Sequence, residues 1–520
     1  MEPLPAAMSG RQTVAILDFG SQYTQVIARR IREHRVYSEI MPHDTPAGAL
    51  AGHEIAAIIL SGGPSSVFAD DAPALDADIL TLGKPVLGIC YGLQALLHLS
   101  GAAVEPGSNG EYGKAAITIS RHGQLLKSLP DSIPVWMSHG DRIKTVPDGW
   151  EVLATSENGV LAAIGHRELP IFGTQFHPEV EHTPDGGTIL ANFLFGIAGC
   201  EPTWDARHQV EELARRIESE VGGNRVLCAL SGGVDSSVLA ALLTRVLGKK
   251  VICVFIDHGL LRKDEAAQVI QALETGLGVK VNLRDYGDRF LAELAGVEDP
   301  EQKRKIIGRE FIRAFEEVAA ELGPVKFLAQ GTLYPDVIES GSVPGISHTI
   351  KSHHNVGGLP ENVDFELLEP LRELFKDEVR SLGRELNMPE ELLMRHPFPG
   401  PGLAVRIIGD ITPERLSVLR EADAVYQDVL RETGEYGHIW QAFAVLLPVK
   451  TVGVMGDYRT YDNVIALRAV TSSDGMTADW YRMPSDVLAE ISSRIVNEVR
   501  GVNRVVYDVT SKPPGTIEWE

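Results

Sequence analysis

Cysteine is scarce, with only Cys90, Cys200, Cys228 and Cys253 in 520 residues. So few, so far apart, exclude a disulfide framework and fit a reducing cytoplasm. No run of 18 apolar residues occurs, which excludes a membrane-spanning helix. Net positive charge is absent too. The formal charge is −23, so a broad cationic surface for nucleic acid is not expected, only local basic pockets. Internal repeats and low-complexity tracts are missing. What remains is ordinary folded composition, 44% hydrophobic and 23% charged, in a chain too long for one core. Two to four domains are expected. Residues 1–12, rich in Ala and Pro, lack the charged start and apolar centre of a secretion signal. They are read as a flexible leader, and translation could start at Met8 instead.

Three blocks follow. In the first, apolar runs Val14–Leu17, Ala56–Leu60 and Val86–Ile89 alternate with helical stretches such as Gln25–Glu33. Such alternation predicts an α/β domain with a mostly parallel sheet and its site at the carboxyl ends of the strands. The pattern breaks near Glu201–Trp204, placing this domain at 13–204. The second block, 205–395, repeats the logic with strands expected at Val226–Leu230, Val251–Ile256, Val279–Leu283 and Val325–Gln330 and a helix at Asp264–Glu274. A Pro- and Gly-dense stretch, His396–Gly402, marks the next boundary. The third block, 396–520, has strand patterns at Val449–Met455, Val464–Val470 and Arg504–Val509 and a helix pattern at Ser485–Val499, which predict a small α+β domain.

Two strand ends carry chemistry. The first is Ser231-Gly232-Gly233-Val234-Asp235-Ser236-Ser237, between the run Val226–Leu230 and a helical run from Val238. Glycines let a backbone close around an anion, and free N–H groups at a helix start point at it. The loop lacks the lysine and the spacing of the commoner nucleotide-binding loop. It resembles the pyrophosphate loop of N-type ATP pyrophosphatases, which cleave ATP between the α- and β-phosphates. Asp235 is then a natural Mg²⁺ ligand, since magnesium takes oxygen ligands and sits on phosphates. Ile256, at the next strand end, becomes a candidate adenine contact.

The second is Gly88-Ile89-Cys90-Tyr91-Gly92, a Gly-x-nucleophile-x-Gly elbow with cysteine as nucleophile. Far along the same block stands His177-Pro178-Glu179: a base for the thiol proton and a carboxylate to orient the imidazole. With Ser61-Gly62-Gly63-Pro64, these motifs resemble the class I glutamine amidotransferases. That resemblance implies Cys90 as nucleophile, His177 as base and Glu179 as orienter. It places the oxyanion at the N–H groups of Gly63 and Tyr91, and glutamine against Gln94, Ser138, His139 and Asp141.

The remaining segments name the acceptor. Lys351-Ser352-His353-His354-Asn355, read alone, suggests an anion or metal site, but adjacent histidines on an extended chain point to opposite sides, which disfavours a metal. Together with Gln330–Ser340, Glu373–Arg380 and Lys512–Glu520, the chain from Thr13 to Glu520 resembles the glutamine-hydrolysing GMP synthases. The resemblance implies xanthosine 5′-monophosphate (XMP) as acceptor, activated as an adenylyl intermediate at the C2 carbonyl oxygen and aminated to GMP. It puts Asp336, Glu339, Lys351, His353, His354 and Asn355 near XMP and ATP, and Lys376 and Asp377 on a mobile lid. Arg504, Lys512, Ile517 and Glu518 would join from the third block, which would form a homodimer. Arg309 is carried over for a charge near phosphate and Phe311 for stacking on adenine. The loop Ser340–Ile346 fits no motif.

Three alternatives compete. A glutamine-dependent NAD synthetase would carry a different glutaminase type. A tRNA sulfur transferase would need reactive cysteines by the loop and a basic surface, whereas Cys228 and Cys253 lie inside strand runs. A non-enzymatic relic would show decay in at least one motif, and none is decayed.

Overall fold

The computed structural model describes residues 11–69, 72–340, 365–455, 458–472 and 477–520. It divides into two compact units, Met1–His208 and Gln209–Glu520.

Unit one is built on one sheet. Its strands are β1 (Thr13–Asp18), β2 (Tyr37–Pro42), β3 (Ile55–Leu60), β4 (Val86–Ile89), β5 (Val104–Ile119), β6 (Ser132–Ile143), β7 (Trp150–Ser156), β8 (Leu161–His166) and β9 (Ile171–Thr174). They lie in the order β2-β1-β3-β4-β9-β8-β7-β5-β6. From β2 to β9 the neighbours run parallel, and from β9 onward they run antiparallel. The parallel half matches the expected alternation. The antiparallel half has no counterpart in the sequence-based expectation. The central parallel strands β3 and β4 are wholly apolar because both faces are covered.

Arg11 and Gln12, grouped with the leader in sequence, are docked. The Arg11 guanidinium lies 3.4 Å above the Tyr37 ring, and Gln12 Oε1 accepts the Glu201 N–H at 2.8 Å. Trp204 packs on Tyr37 at 4.8 Å and donates its N–H to Arg35 O, closing the unit.

Unit two holds two sheets. The first comprises β10 (Val226–Leu230), β11 (Val251–Asp257), β12 (Val281–Asp285), β13 (Phe327–Ala329) and β14 (Glu366–Leu368) in the order β12-β11-β10-β13-β14, all parallel. The second comprises β15 (Gln441–Met455), β16 (Tyr458–Thr471), β17 (Asp479–Trp480) and β18 (Val502–Tyr507), with β16 antiparallel to β15 and β17 and parallel to β18. One core runs from Leu260, Phe290 and Ile307 of the second block into Leu403, Leu419, Tyr426, Ile465 and Ile491 of the third. The Pro- and Gly-dense stretch lies within the unit. A side chain at Gly402, where φ is +63°, would stand 2.4 Å from Leu260 O.

Both sites sit where a parallel strand gives way to a helix. After β4 the turn is tight enough to need two glycines. A Cβ at Gly88 would lie 2.7 Å from Leu93 N, and one at Gly92 would lie 2.4 Å from Leu60 O. Gly92→Ala should therefore lower the stability of unit one by about 1–3 kcal/mol through overpacking. Thermal unfolding checks this: an unchanged transition would show that the elbow has room.

Candidate active sites

Cys90 joins β4 to the helix Tyr91–Leu99 with φ 53° and ψ −105°. A positive φ at a non-glycine residue costs on the order of 1–3 kcal/mol, and tight packing on both sides sustains it. The Cys90 N–H donates to Thr174 O at 2.7 Å, and the Gly92 N–H to Ser61 O at 3.1 Å. The thiol thus stands at the carboxyl end of the parallel half-sheet, at a helix N-terminus.

His177 and Glu179 follow β9, one strand over. His177 Nδ1 and Glu179 Oε1 are 2.7 Å apart, and both side chains are buried. Burial pushes the imidazole pKa down, but the Glu179 carboxylate and the neighbouring Cys90 outweigh it and raise it well above the ordinary value. The backbone is fixed from both sides: the His177 N–H donates to Trp136 O at 3.0 Å, and Thr183 Oγ1 to His177 O at 2.7 Å. Tyr23 sets its ring edge against the imidazole at 5.1 Å. The Ser61–Pro64 loop closes the group. A Cβ at Gly62 would lie 3.1 Å from His177 Cε1 and 3.7 Å from Cys90 Cβ, and one at Gly63 would lie 2.7 Å from Phe19 O. Tyr91 is the first residue of its helix, so its N–H has no intrahelical partner.

The structure brings the expected glutamine-pocket residues to the same place but gives them different tasks. Cys90 Sγ donates to Ser138 O at 3.6 Å. His139 is buried, with Nδ1 3.0 Å from Asp141 O and Nε2 3.3 Å from Glu111 Oε2, so its ring anchors the strand rather than facing solvent. Glu111 also accepts from Ser156 Oγ and Asn158 Nδ2. Asp141 accepts from Ser66 Oγ at 2.6 Å. Gln94 Nε2 donates to Gln175 Oε1 at 3.3 Å, and Gln175 Nε2 lies 3.7 Å from Cys90 Sγ. Glu111 and Thr183 carry no motif that sequence reasoning could use, whereas Gln175 lies within the segment Gly173–Glu179 that carries His177, between β9 and the imidazole.

In unit two, β10 runs into the helix Val234–Leu247 through the serine-glycine loop. Gly232 has φ +77°. The hydroxyls fold the loop on itself: Ser236 Oγ accepts the Ser231 N–H at 3.2 Å, and Ser237 Oγ donates to Gly233 O at 2.8 Å. Asp235, on the first helical turn, holds Lys376 Nζ at 2.5 and 2.6 Å on its two carboxylate oxygens. Gly331 approaches from β13, since a Cβ there would lie 3.4 Å from the Asp235 backbone. Asp336 accepts the Leu333 N–H at 3.0 Å and so caps its own helix. Arg395, which belongs to no motif, donates from Nη1 to Gly232 O at 3.1 Å.

The expected nucleotide contacts have these surroundings. Lys376 and Asp377, expected on a mobile lid, open the helix Lys376–Glu385, which packs so closely on the loop helix that a Cβ at Gly383 would lie 3.1 Å from Val238 Cγ2. Ile256 is 3% exposed and belongs to a core with Phe315 and Val318, against which Phe311 packs half-buried. Arg309 is paired with Glu310 and Glu293 at 3.1 Å each. Arg504 Nε reaches Thr451 Oγ1 at 3.4 Å. Lys512 exchanges backbone hydrogen bonds with Ala478, Ile517 is buried against Phe443, and Glu518 is forked by Arg406 at 2.8 and 3.1 Å. The side chain of Glu339, and Lys351, His353, His354, Asn355 and the loop to Ile346, lie outside the described residues.

Comparison with known proteins accounts for all three blocks. Residues 15–197 match the profile of class-I glutamine amidotransferases, 205–305 the PP-loop domain, and 428–519 the GMP synthase C terminal domain. Similar relatives include the GMP synthase (glutamine-hydrolyzing) of Chlorobium luteolum, 56% identical over 98% of this chain and 100% of the relative. Another is that of Thermosynechococcus vestitus, 55% identical over 98% of this chain and 97% of the relative. The NAD synthetase alternative is not favoured, because both the class-I glutaminase and the GMP synthase C-terminal block are present. With the three blocks in order and more than half of the residues shared along nearly the whole length, the chain belongs to the family of glutamine-hydrolysing GMP synthases.

Proposed function

We propose that unit one releases ammonia from glutamine at Cys90, and that unit two uses ATP to adenylate XMP, which ammonia converts to GMP. The observation that carries the first step is the 2.7 Å His177–Glu179 hydrogen bond beside the elbow cysteine. Cys90 Sγ attacks the side-chain amide carbon of glutamine. The oxyanion is held by the N–H groups of Gly63 and Tyr91. His177 takes the Cys90 thiol proton and passes it to the departing nitrogen, so ammonia leaves and a thioester remains. His177 then takes a proton from water as the water oxygen attacks the thioester carbon, and returns it to Cys90 Sγ as glutamate leaves. Glu179 keeps the imidazole oriented throughout and stabilises its protonated form.

In unit two, N–H groups along Ser231–Ser237 would hold the pyrophosphate of ATP. The C2 carbonyl oxygen of XMP attacks the α-phosphorus, pyrophosphate departs, and ammonia then displaces AMP from the adenylyl intermediate. Lys376, now paired with Asp235, is close enough to the loop to exchange that carboxylate for a phosphate oxygen. Magnesium fits the donor set, since it takes one or two carboxylates plus phosphate oxygens, and Asp235 supplies one at the mouth of the loop. When bound, the ion would offset charge on the leaving pyrophosphate. The expected domains are retained as functional blocks: glutaminase at 13–204, ATP pyrophosphatase at 205–395, and dimerisation with XMP binding at 396–520.

We infer a homodimer through the third block. Val452 and Tyr461 are register partners on β15 and β16, and with Val454 and Tyr458 they are 49–80% exposed. Such a patch on a hairpin is expected to be covered by a partner surface. A cytoplasmic location fits the four unpaired, buried cysteines.

Three outcomes test these readings. Cys90→Ala should abolish glutamate release while leaving GMP formation from free ammonium intact. Glutamine hydrolysis by that variant would remove Cys90 from the mechanism. The pH dependence follows from His177. Its protonated form is the one Glu179 stabilises, so the stabilisation is complete below the ordinary histidine value and is lost as pH rises through the raised value. Glu179→Gln should accordingly move the alkaline limb of the glutaminase rate to lower pH, and an unmoved limb would show that the pair does not set it. Val454→Asp combined with Tyr461→Asp should convert the dimer to monomer in sedimentation, whereas a dimer that survives both changes would place the interface elsewhere.

A further inference from the structure

A phosphate loop works only if its peptide planes present N–H groups inward. In a trans peptide the carbonyl of one residue and the N–H of the next point in opposite directions. Holding the Gly232 carbonyl outward therefore aims the Gly233 N–H into the loop, where it meets Ser231 Oγ at 3.4 Å. The Gly232 carbonyl is held by Arg395, whose Nη1 donates to it at 3.1 Å. Glycine is favoured there because φ is +77°.

Arg395 is itself fixed. Its Nη2 donates to Glu265 Oε1 at 2.6 Å, and the Glu265 side chain is 4% exposed. The other carboxylate oxygen, Oε2, accepts the Arg262 N–H at 3.0 Å. The Arg262 side chain then crosses to the second sheet of the unit. Its Nη2 donates to Ala442 O at 3.1 Å, and its Nε lies 3.3 Å from Asp423 Oδ2. The residue before Ala442 is Gln441, whose Nε2 donates to Glu518 Oε1 at 2.8 Å. Polar contacts, linked through the Arg262 residue and the Gln441–Ala442 backbone, thus lead from the pyrophosphate loop to the C-terminal tail, and Glu265, Asp423 and Gln441 along the way are buried.

We propose that Arg395 is a positioning residue for ATP. It sets the Gly232–Gly233 peptide plane, and through Glu265 and Arg262 it ties that plane to the tail carrying Glu518. Loop and tail are then ordered together, so ATP binding and XMP binding assist each other. The proposal rests on the reading of Ser231–Ser237 as the ATP loop. Lysine cannot replace arginine here, because one ammonium on a flexible stem cannot reproduce the two-pronged contact with carbonyl and carboxylate.

The test uses full-length Arg395→Lys and Glu265→Gln in ammonium-dependent GMP synthesis, with the thermal unfolding transition of unit two as the folding control. A charged hydrogen bond lost at the loop should raise KM for ATP roughly ten- to hundredfold. The affinity for XMP, measured calorimetrically with and without a non-hydrolysable ATP analogue, should lose its dependence on the analogue in both variants. An unchanged KM for ATP, or an undiminished dependence, in a variant with a normal unit-two unfolding transition overturns the proposal. Glu265→Gln, which leaves Arg395 in place, decides the question alone if Arg395→Lys does not fold. If instead Asp235→Asn and Ser231→Ala leave ATP binding untouched, the loop itself has been misread, and the proposal falls with it.

Discussion

Both chemical sites depend on one geometric constraint: a buried parallel strand must give way to a helix within a few residues, with the new helix start facing the ligand. At β4 the constraint forces Cys90 to a positive φ and allows nothing larger than hydrogen at Gly88 and Gly92. At β10 it forces Gly232 to a positive φ and closes the loop with serine hydroxyls. The same turn serves two chemistries because the free N–H groups of a helix start favour negative charge of any kind, a thiolate or oxyanion in one unit and a pyrophosphate in the other.

Around these turns, buried charge does the holding. In unit two, Arg406, Arg468 and Lys303 are all fully buried, and all three grip the C-terminal tail. Arg468 Nη2 donates to Thr516 O at 3.2 Å, Arg406 forks Glu518, and Lys303 Nζ reaches Glu520 Oε2 at 2.5 Å. A buried cation left without its partner is costly, so each grip resists release. This explains why Glu518, expected to accept from a purine, is already engaged. Its carboxylate orders the tail first, and the groups beside it on the same segment gain a fixed position from that. Asp235 and Lys376 follow the same pattern at the loop, where a carboxylate and an ammonium neutralise each other.

Much of this is legible in the residues. The strands Val226–Leu230 and Val86–Ile89 coincide with their apolar runs, and the helix pattern at Ser485–Val499 ends one residue from the observed Glu498. Local signals suffice there because a strand buried on both faces must be apolar throughout. The antiparallel strand β6 is not legible, since its alternating buried and exposed positions mix polar and apolar residues without a sharp break. Nor is the sharing of one core by the second and third blocks. The Pro- and Gly-dense stretch at His396–Gly402 reads as a domain boundary, yet Phe398 packs on the core that the second and third blocks share.

By itself the sequence placed the cysteine elbow, the His-Pro-Glu segment and the serine-glycine loop at their strand ends, because each is a short motif whose backbone freedom resides in adjacent residues. Tertiary structure alone decided which groups hold those motifs in place. Gln175 at Cys90, Glu111 at His139, Arg395 at Gly232 and Arg406 at Glu518 are partners separated by 28 to 163 positions. No local pattern can announce a contact that exists only after the strands have paired and the core has closed.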